Sequence, residues 1–453
     1  MTTGSARSPW WGFSAVSVGV FMATLDGSVV NVALPAIRGH FGASIGSVEA
    51  VVSVYLLVIS AALLAAGRLG DVMGRRRVFT GGMLLFTLGS GLCGFAWSLP
   101  VLVAARGVQA LGASAMMSMA PAIVTAIFPR AHRGQALGAV SSVVAAGLTA
   151  GAPIGGAILS FTSWHAIFLV NLPVGVAGAV WAWRTLPEEA AGERPPFDWP
   201  GALWLGAALA TAIGALEAAP HSGRLALGLV AAAGVASVLL WRAERARTAP
   251  LVDPALLGDR TISLGLVAAL LSYAAVFHQM LLSPFFLADV KGLGQMKLAA
   301  ALTVVPISLM LTSPVSGWFS DRHGPRIPQV AGGAMLAAGL AWLALADGTT
   351  PMWAIACGLA LEGGGMGLFQ PPNNSAVMGA LPPGKLGSGG GLLATSRNVG
   401  MVLGVATGGL LFEIGERTSF LVGWRLALGS GAVLALGAGL LALVKPDDGR
   451  LER

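Results

Sequence analysis

Residues 67–75 read Gly67-Arg-Leu-Gly-Asp71-Val-Met-Gly74-Arg75, and a variant of this stretch returns 250 residues later as Gly317-Trp-Phe-Ser-Asp321-Arg-His-Gly324-Pro-Arg326. In both copies a glycine, an acid four residues on and a second glycine three beyond that lie between two long apolar runs. Glycine permits the tight turn, Asp71 can cap the next helix or pair with a base, and Arg75, Arg76 and Arg77 suit the lipid headgroup level. A basic turn that merely fixes topology needs the arginines but not this Gly and Asp spacing. A second duplication is independent of the first. Gly147, Gly151 and Gly155 form a GxxxGxxxG face, and Gly400, Gly404 and Gly408 repeat it 253 residues on. Two coincidences at nearly one offset predict a chain built from two parallel halves.

The surrounding composition says what medium these halves occupy. Of 453 residues, 55% are hydrophobic and only 10% charged, and the mean hydropathy is +0.77, far too little charge for a soluble surface. Apolar runs of about 20 residues, the length that crosses a hydrocarbon core, recur throughout. The runs predict fourteen spans, at 13–35, 48–67, 78–98, 100–126, 135–160, 164–186, 198–217, 223–242, 262–287, 298–319, 327–346, 351–372, 386–412 and 421–444. With the repeat, they divide the chain into a six-helix half (1–186), a linker carrying two additional spans (187–260) and a second six-helix half (261–453). The 64 glycines allow helices to approach closely, as membrane bundles require. The first run, about Phe13 to Pro35, is too long for a signal-peptide core and carries Asp26 near its middle.

Charge placement gives orientation. With the N-terminus inside, 19 of the 27 Lys and Arg fall on inner loops and termini and 6 on outer ones, while Arg106 and Arg397 fall within spans. Both termini are therefore expected in the cytoplasm. The formal charge of +7 is scattered over short loops rather than gathered in a stripe, so nucleic acid is not an expected partner. Cys93 and Cys357 both lie in predicted spans and are expected as free thiols, and no metal-ligand spacing is present. No HExxH, Gly-x-Ser-x-Gly or GxxxxGK[ST] pattern occurs, which argues against a membrane-embedded enzyme and an ATP-driven pump.

The 67–78 segment resembles the loop signature of the major facilitator superfamily, usually written GxLaDrxGrkxxl. By that resemblance Gly67, Asp71, Gly74 and Arg75, with Asp321 in the second copy, belong to a gating loop whose charges latch one face of an alternating-access cycle. Leu25-Asp26-Gly-Ser-Val-Val-Asn31-Val-Ala-Leu34-Pro35 is similar to the first-helix motif of the fourteen-helix drug:proton antiporters, the EmrB/QacA type. Trp164-His165-Ala-Ile-Phe168-Leu-Val-Asn171-Leu-Pro173-Val-Gly175 resembles that branch's sixth-helix motif, and Leu102 to Ala113 its Arg-containing fourth-helix motif. Gly147, Gly151, Pro153, Gly155 and Gly156 resemble the antiporter signature of helix five, which in the family keeps the substrate path from leaking protons. The chain departs from these patterns where Ala152 follows Gly151, where Ala110 follows Gln109 and where His165 replaces the usual Arg. The resemblance covers essentially the whole chain and implies a monomeric, multi-pass protein of a bacterial inner membrane.

Ionisable groups at mid-membrane need a reason to be there. Asp26 sits near the centre of the first span and can alternate between binding a proton and binding substrate; the plain alternative is a structural carboxylate that packs the bundle. Asn31, five residues on, points to another face and more simply supports the bend before Pro35. Glu362 lies mid-way along the twelfth span beside Gly363, Gly364 and Gly365, where a loosened helix admits a ligand or a partner helix. His278 follows Asp26 by 252 residues, roughly its repeat-equivalent place, and reads equally as a proton relay or as a histidine bonded to backbone. Arg106 cannot be left unpaired in lipid; Asp26 or Glu362 is its natural partner, and Gln109 shares its helix face. Arg397 with Asn398 is a weaker version of the same signal. Asp26, Glu362, Arg106 and His278 are thus candidates for proton coupling. Asp26, Glu362, Gln109 and Met116, the last for its adaptable side chain, are candidates for substrate binding. Together these features predict a proton-driven antiporter that needs no cofactor and exports a small lipophilic or cationic drug or metabolite. An uptake symporter or uniporter of the same fold is the alternative.

Overall fold

The computed structural model describes residues 9–129, 133–188, 199–218, 222–245, 256–382 and 386–444, with a few side chains inside the helices, those of Asp71 and Asp321 among them, outside the description. Every regular element is helical among the described residues. The first six are α1 (Pro9–Phe41), α2 (Ile45–Met73), α3 (Arg75–Gly94), α4 (Leu99–Ile127), α5 (Arg133–Phe161) and α6 (His165–Leu169). The next five are α7 (Asn171–Thr185), α8 (Trp199–Ala218), α9 (Gly223–Arg245), α10 (Arg260–Phe285) and α11 (Gln295–Leu302). The last five are α12 (Val304–His323), α13 (Arg326–Ala344), α14 (Met352–Gly379), α15 (Leu386–Glu416) and α16 (Phe420–Val444). With α6 and α7 taken as one broken helix, and α11 and α12 as another, a helix occupies each of the fourteen expected stretches.

By length and composition, 12 of these stretches qualify as membrane spans. Those at α3 and α8 do not: α3 opens on three arginines and is glycine-rich, and α8 includes side chains outside the description. The outward faces carry large apolar groups, for example Leu84, Leu88 and Leu92 on α3 and Leu227, Val235 and Val238 on α9. A water-soluble surface does not tolerate such stripes, whereas lipid does.

The chain divides into two compact units, Met1–Ala202 with Gln295–Ala300 and Leu203–Gly294 with Ala301–Arg453. Their internal wiring repeats. In the first, α4 packs on α3 and α2, α1 on α5, and α7 on α3; in the second, α14 packs on α13 and α12, α10 on α15, and α16 on α13. The glycines that permit these approaches pair off too. A side chain at Gly89 would strike the backbone of Gln109, and one at Gly339 would strike that of Glu362. Gly82 and Gly112 abut one another across α3 and α4 as Gly332 and Gly365 do across α13 and α14. Glu362 therefore holds in its unit the position that Gln109 holds in the other.

The repeated loop motif makes the same turn twice. Gly74 ends α2 and begins α3 at φ 93°, and Gly324 ends α12 at φ 84°, the left-handed region that an L side chain resists. Arg75 then donates to the carbonyl of Ala122 near the end of α4 at 3.2 Å, and Arg326 to that of Leu443 at 2.6 Å. Outside the spans, Asp347 is pulled down to about 2 by hydrogen bonds from the Thr349 and Thr350 hydroxyls and backbone N–H groups, so this loop keeps its carboxylate cap at any physiological pH.

The glycine faces are seams. Gly147 and Gly151 on α5 rest on Thr24 and Ser28 of α1, and Gly155 rests on Val29. Gly400, Gly404 and Gly408 on α15 rest on Leu270, Ala274 and His278 of α10. Gly156 faces Ala299 instead, and Pro153 is exposed. Because a Cβ at Gly404 would meet the Ala274 backbone, Gly404→Leu is expected to destabilise the second unit by about 3 kcal/mol or to abolish folding. Thermal unfolding followed by size-exclusion fluorescence checks this, and an unchanged midpoint would show that the seam yields.

Candidate functional site

The interior of the first unit holds a closed polar network at the level of the α1–α5 seam. Asp26 reaches it because its neighbours Thr24 and Ser28 turn toward α5, which directs residue 26 to another face. Thr24 satisfies its hydroxyl on the Val20 carbonyl, and Ser28 on that of Leu148. Arg106 extends from α4 and places Nη1 2.5 Å from Asp26 Oδ2, both side chains being 1% exposed. Gln109, three residues along the same face, accepts from Arg106 Nη1 at 2.7 Å and donates through Nε2 to Asp26 Oδ1 at 2.9 Å. Asn171, the first residue of α7, donates to Asp26 Oδ1 at 3.2 Å and to Ser90 Oγ at 3.0 Å. Ser90 in turn receives Gln109 Nε2 at 3.2 Å and donates to the Phe168 carbonyl at 2.8 Å.

The guanidinium is held from two further sides. Its Nε donates to the Val51 carbonyl of α2 at 3.2 Å, and its carbon lies 3.8 Å from the centroid of the Tyr55 ring. Tyr55 donates its hydroxyl to Ala23 at 3.3 Å, and the Cys93 thiol donates to Gln109 Oε1 at 3.8 Å. Asp26 thus accepts from three side chains contributed by α4 and α7, and the pair is neutral as a whole. Such saturation is what makes a buried ion pair tolerable in a low-dielectric interior. A pair of this kind depends on both charges, since neutralising the carboxylate would remove the attraction that holds the guanidinium.

In the second unit Glu362 is fully buried, and among the described residues neither of its carboxyl oxygens has a hydrogen-bond partner. Arg106 pairs with Asp26, so of the two partners expected for it Glu362 is not the one in this structure. His278 is buried on α10, with Nδ1 2.6 Å from the Ala274 carbonyl and Nε2 3.4 Å from Thr407 Oγ1. It rests against Gly408, while Gly155, the counterpart of Gly408, rests on Val29. The seam therefore corrects the repeat assignment: Gly400 lies on Leu270 as Gly147 lies on Thr24, which places Ser272, not His278, opposite Asp26. The reason is four extra residues between seam and next helix. Leu270 to Gln295 is 25 residues and Thr24 to Ile45 only 21, and α10 continues into a π-helical turn, Phe286–Val290, that α1 lacks.

Met116 is fully buried in the α1–α3–α4 core with Phe79 and Met83 and fills the space above Gly19, where it packs the helices together. Asn31 donates to the Gly27 carbonyl at 3.0 Å, as expected of a residue supporting its own helix. Of the gating-loop residues, Gly67, Gly74 and Arg75 flank the α2–α3 turn, while the side chains of Asp71 and Asp321 lie outside the described residues. Sequence reasoning missed Tyr55 and Ser90 altogether, met Cys93 only as a free thiol within a span, and met Asn171 only as part of a motif; that motif is the one signal that pointed to it. Among the described residues no group of His, Cys, Asp and Glu is arranged to hold a metal ion.

A repeated helical bundle with apolar outward faces and an ionic network sealed in its interior has the architecture of a multi-pass membrane transporter of small molecules. The comparisons with known proteins agree: the Major Facilitator Superfamily model matches residues 16–405 and 266–452, and the chain belongs to that superfamily. The chain is 33% identical to Riboflavin transporter RibZ of Clostridioides difficile over 88% of its own length and 87% of the relative's. It is 33% identical to Multidrug resistance protein Stp of Mycobacterium tuberculosis, covering 86% of this chain and 74% of the relative. It is 31% identical to the Tetracenomycin C resistance and export protein of Streptomyces glaucescens, covering 90% and 77%. Relatives of this kind are transporters rather than enzymes.

Proposed function

We propose that this protein is a proton-coupled antiporter that exports a small lipophilic drug or metabolite by alternating access. It works as a monomer in a bacterial inner membrane, with both termini in the cytoplasm. The observation that carries the reading is the Asp26–Arg106 pair, closed by Gln109, Asn171 and Ser90 in the interior of a membrane bundle. A proton from the outside neutralises Asp26 and releases Arg106; loss of that proton to the cytoplasm restores the pair and resets the carrier. The halves at 1–186 and 261–453, with 187–260 as an inserted pair, alternate access to the two sides of the membrane, and the glycine seams within each half let α1 and α10 slide without opening a leak. Glu362 serves as a second proton-holding acid and His278 as a relay, and the proton gradient takes the place of any cofactor. The exporters among the relatives support the outward direction.

The test is purified protein in liposomes with an imposed pH gradient, comparing wild type with Asp26→Asn for a panel of lipophilic cations and neutral antibiotics. Flux against the proton flow, reduced by at least about tenfold in the variant, is the expected result. Flux running with the protons would make the protein a symporter. Flux that ignores the gradient and survives the substitution would remove Asp26 from the mechanism.

A further inference from the structure

The buried acids of the two units do not suit a cation. Asp26 is already matched by Arg106, and Glu362 is buried without a hydrogen-bond donor among the described residues, which disfavours a bare charge there. Neither presents a free negative charge. Arg397 does present a free positive one. It lies eight residues inside the Gly389–Glu416 span, a depth of about 12 Å at 1.5 Å per residue. It is half-buried, and among the described residues it makes no hydrogen bond or ion pair. Its guanidinium carbon lies 6.0 Å from the centroid of the Tyr273 ring of α10.

A cation held at that depth without a carboxylate asks for an anion. What stands beside it describes the rest of the ligand. The Tyr273 hydroxyl is fixed by Gln370 Nε2 of α14, so the ring keeps one orientation. One helical turn beyond Gln370, on the same face, Asn374 has a buried Oδ1 that receives no donor among the described residues. A guanidinium, an oriented aromatic face and a donor-hungry carbonyl oxygen therefore lie on α15, α10 and α14 of one unit.

We propose that Arg397, Tyr273, Gln370 and Asn374 form a substrate subsite for a flat aromatic compound that carries an acidic group, either a carboxylate or an acidic phenol or enol. The acid pairs with Arg397, the ring lies against Tyr273, and a hydroxyl or N–H of the ligand donates to Asn374 Oδ1. This deepens the export reading and rests on it, and it replaces the cationic cargo expected from the two membrane acids with an anionic one.

The test uses the full chain in nanodiscs and three probes of one shape: anthracene-2-carboxylate, its uncharged methyl ester and 2-(aminomethyl)anthracene, with binding read by fluorescence anisotropy. Wild type is expected to bind the carboxylate more tightly than the ammonium. Arg397→Gln is expected to weaken the carboxylate about tenfold while leaving the ester unchanged, since only a charge-assisted bond is lost. Arg397→Lys should restore part of that affinity. Gln370→Glu, which leaves Arg397 in place but supplies it with a carboxylate, should produce the same selective loss even if Arg397→Gln folds poorly. An unchanged carboxylate affinity in Gln370→Glu, an equal loss of ester and carboxylate, a preference for the ammonium, or no carboxylate binding by wild type would overturn the proposal. Gradient-driven flux of the ester in liposomes is read alongside. Its absence from wild type would count against proton-coupled export while leaving the charge preference of the subsite intact.

Discussion

Arg106→Leu is expected to destabilise the first unit by about 3–5 kcal/mol, whereas the double replacement Asp26→Asn with Arg106→Gln is expected to lie much closer to wild type. The single change removes the cation but leaves a carboxylate that is 1% exposed, with only the amides of Gln109 and Asn171 to solvate it. It also strips the Val51 carbonyl of its donor and leaves Gln109 Oε1 to the weak thiol donor of Cys93. The double change deletes both charges yet keeps hydrogen-bonding groups of similar size in the same places, so no buried charge is stranded. Apparent melting temperatures in detergent separate the cases. Equal loss in the single and double variants would mean that packing against Tyr55, not the charge pair, holds the helices together. Flux supplies the second readout: the double variant should fold and still fail to couple substrate to protons, because it has no acid to titrate and no base to release.

The bundle was legible in the sequence because hydrocarbon demands an unambiguous pattern, a run of about 20 apolar residues closed by charge. The 67–75 and 317–326 turns were legible for a local reason, since Gly74 and Gly324 occupy backbone conformations that their neighbours could not. Arg106 and Gln109 were visible as a pair because three residues on a helix share a face, and Asp26 because a mid-span acid has few explanations. The remainder of the network came from elsewhere. Ser90 and Tyr55 reach the site from α3 and α2, and nothing periodic in those helices sets them apart from other small or aromatic residues. The misplacement of His278 has a different origin. An offset counted along the chain is a statement about loops and turns as well as helices, and here it misses the seam's counterpart, Ser272, by six residues, between one and two helical turns. Contacts made by glycines, which depend on where two backbones meet, recovered the true register and tied Glu362 to Gln109.

That correspondence makes Glu362 the site of the second large expected effect. Gln109 works within a network, but Glu362 has exchanged the amide for an acid and, among the described residues, has no partner for either oxygen. Burying such a polar group without hydrogen bonds costs about 1–3 kcal/mol. Glu362→Leu is therefore expected to raise the melting temperature, and Glu362→Gln to leave it nearly unchanged. Transport is expected to move the other way. If Glu362 holds a proton during the cycle, both variants should lose gradient-driven flux by about tenfold or more while retaining gradient-independent substrate exchange, because the carrier still opens to both sides but has lost a titrating group. Glu362→Asp, which keeps the acid and shortens it by one methylene, should recover part of the flux. A stabilised Leu variant that still transports against the gradient would leave Glu362 with no role in coupling, and Asp26 would then carry the proton alone. A Leu variant that is stable and cannot transport would show that this membrane bundle tolerates an unpaired acid because the cycle uses it.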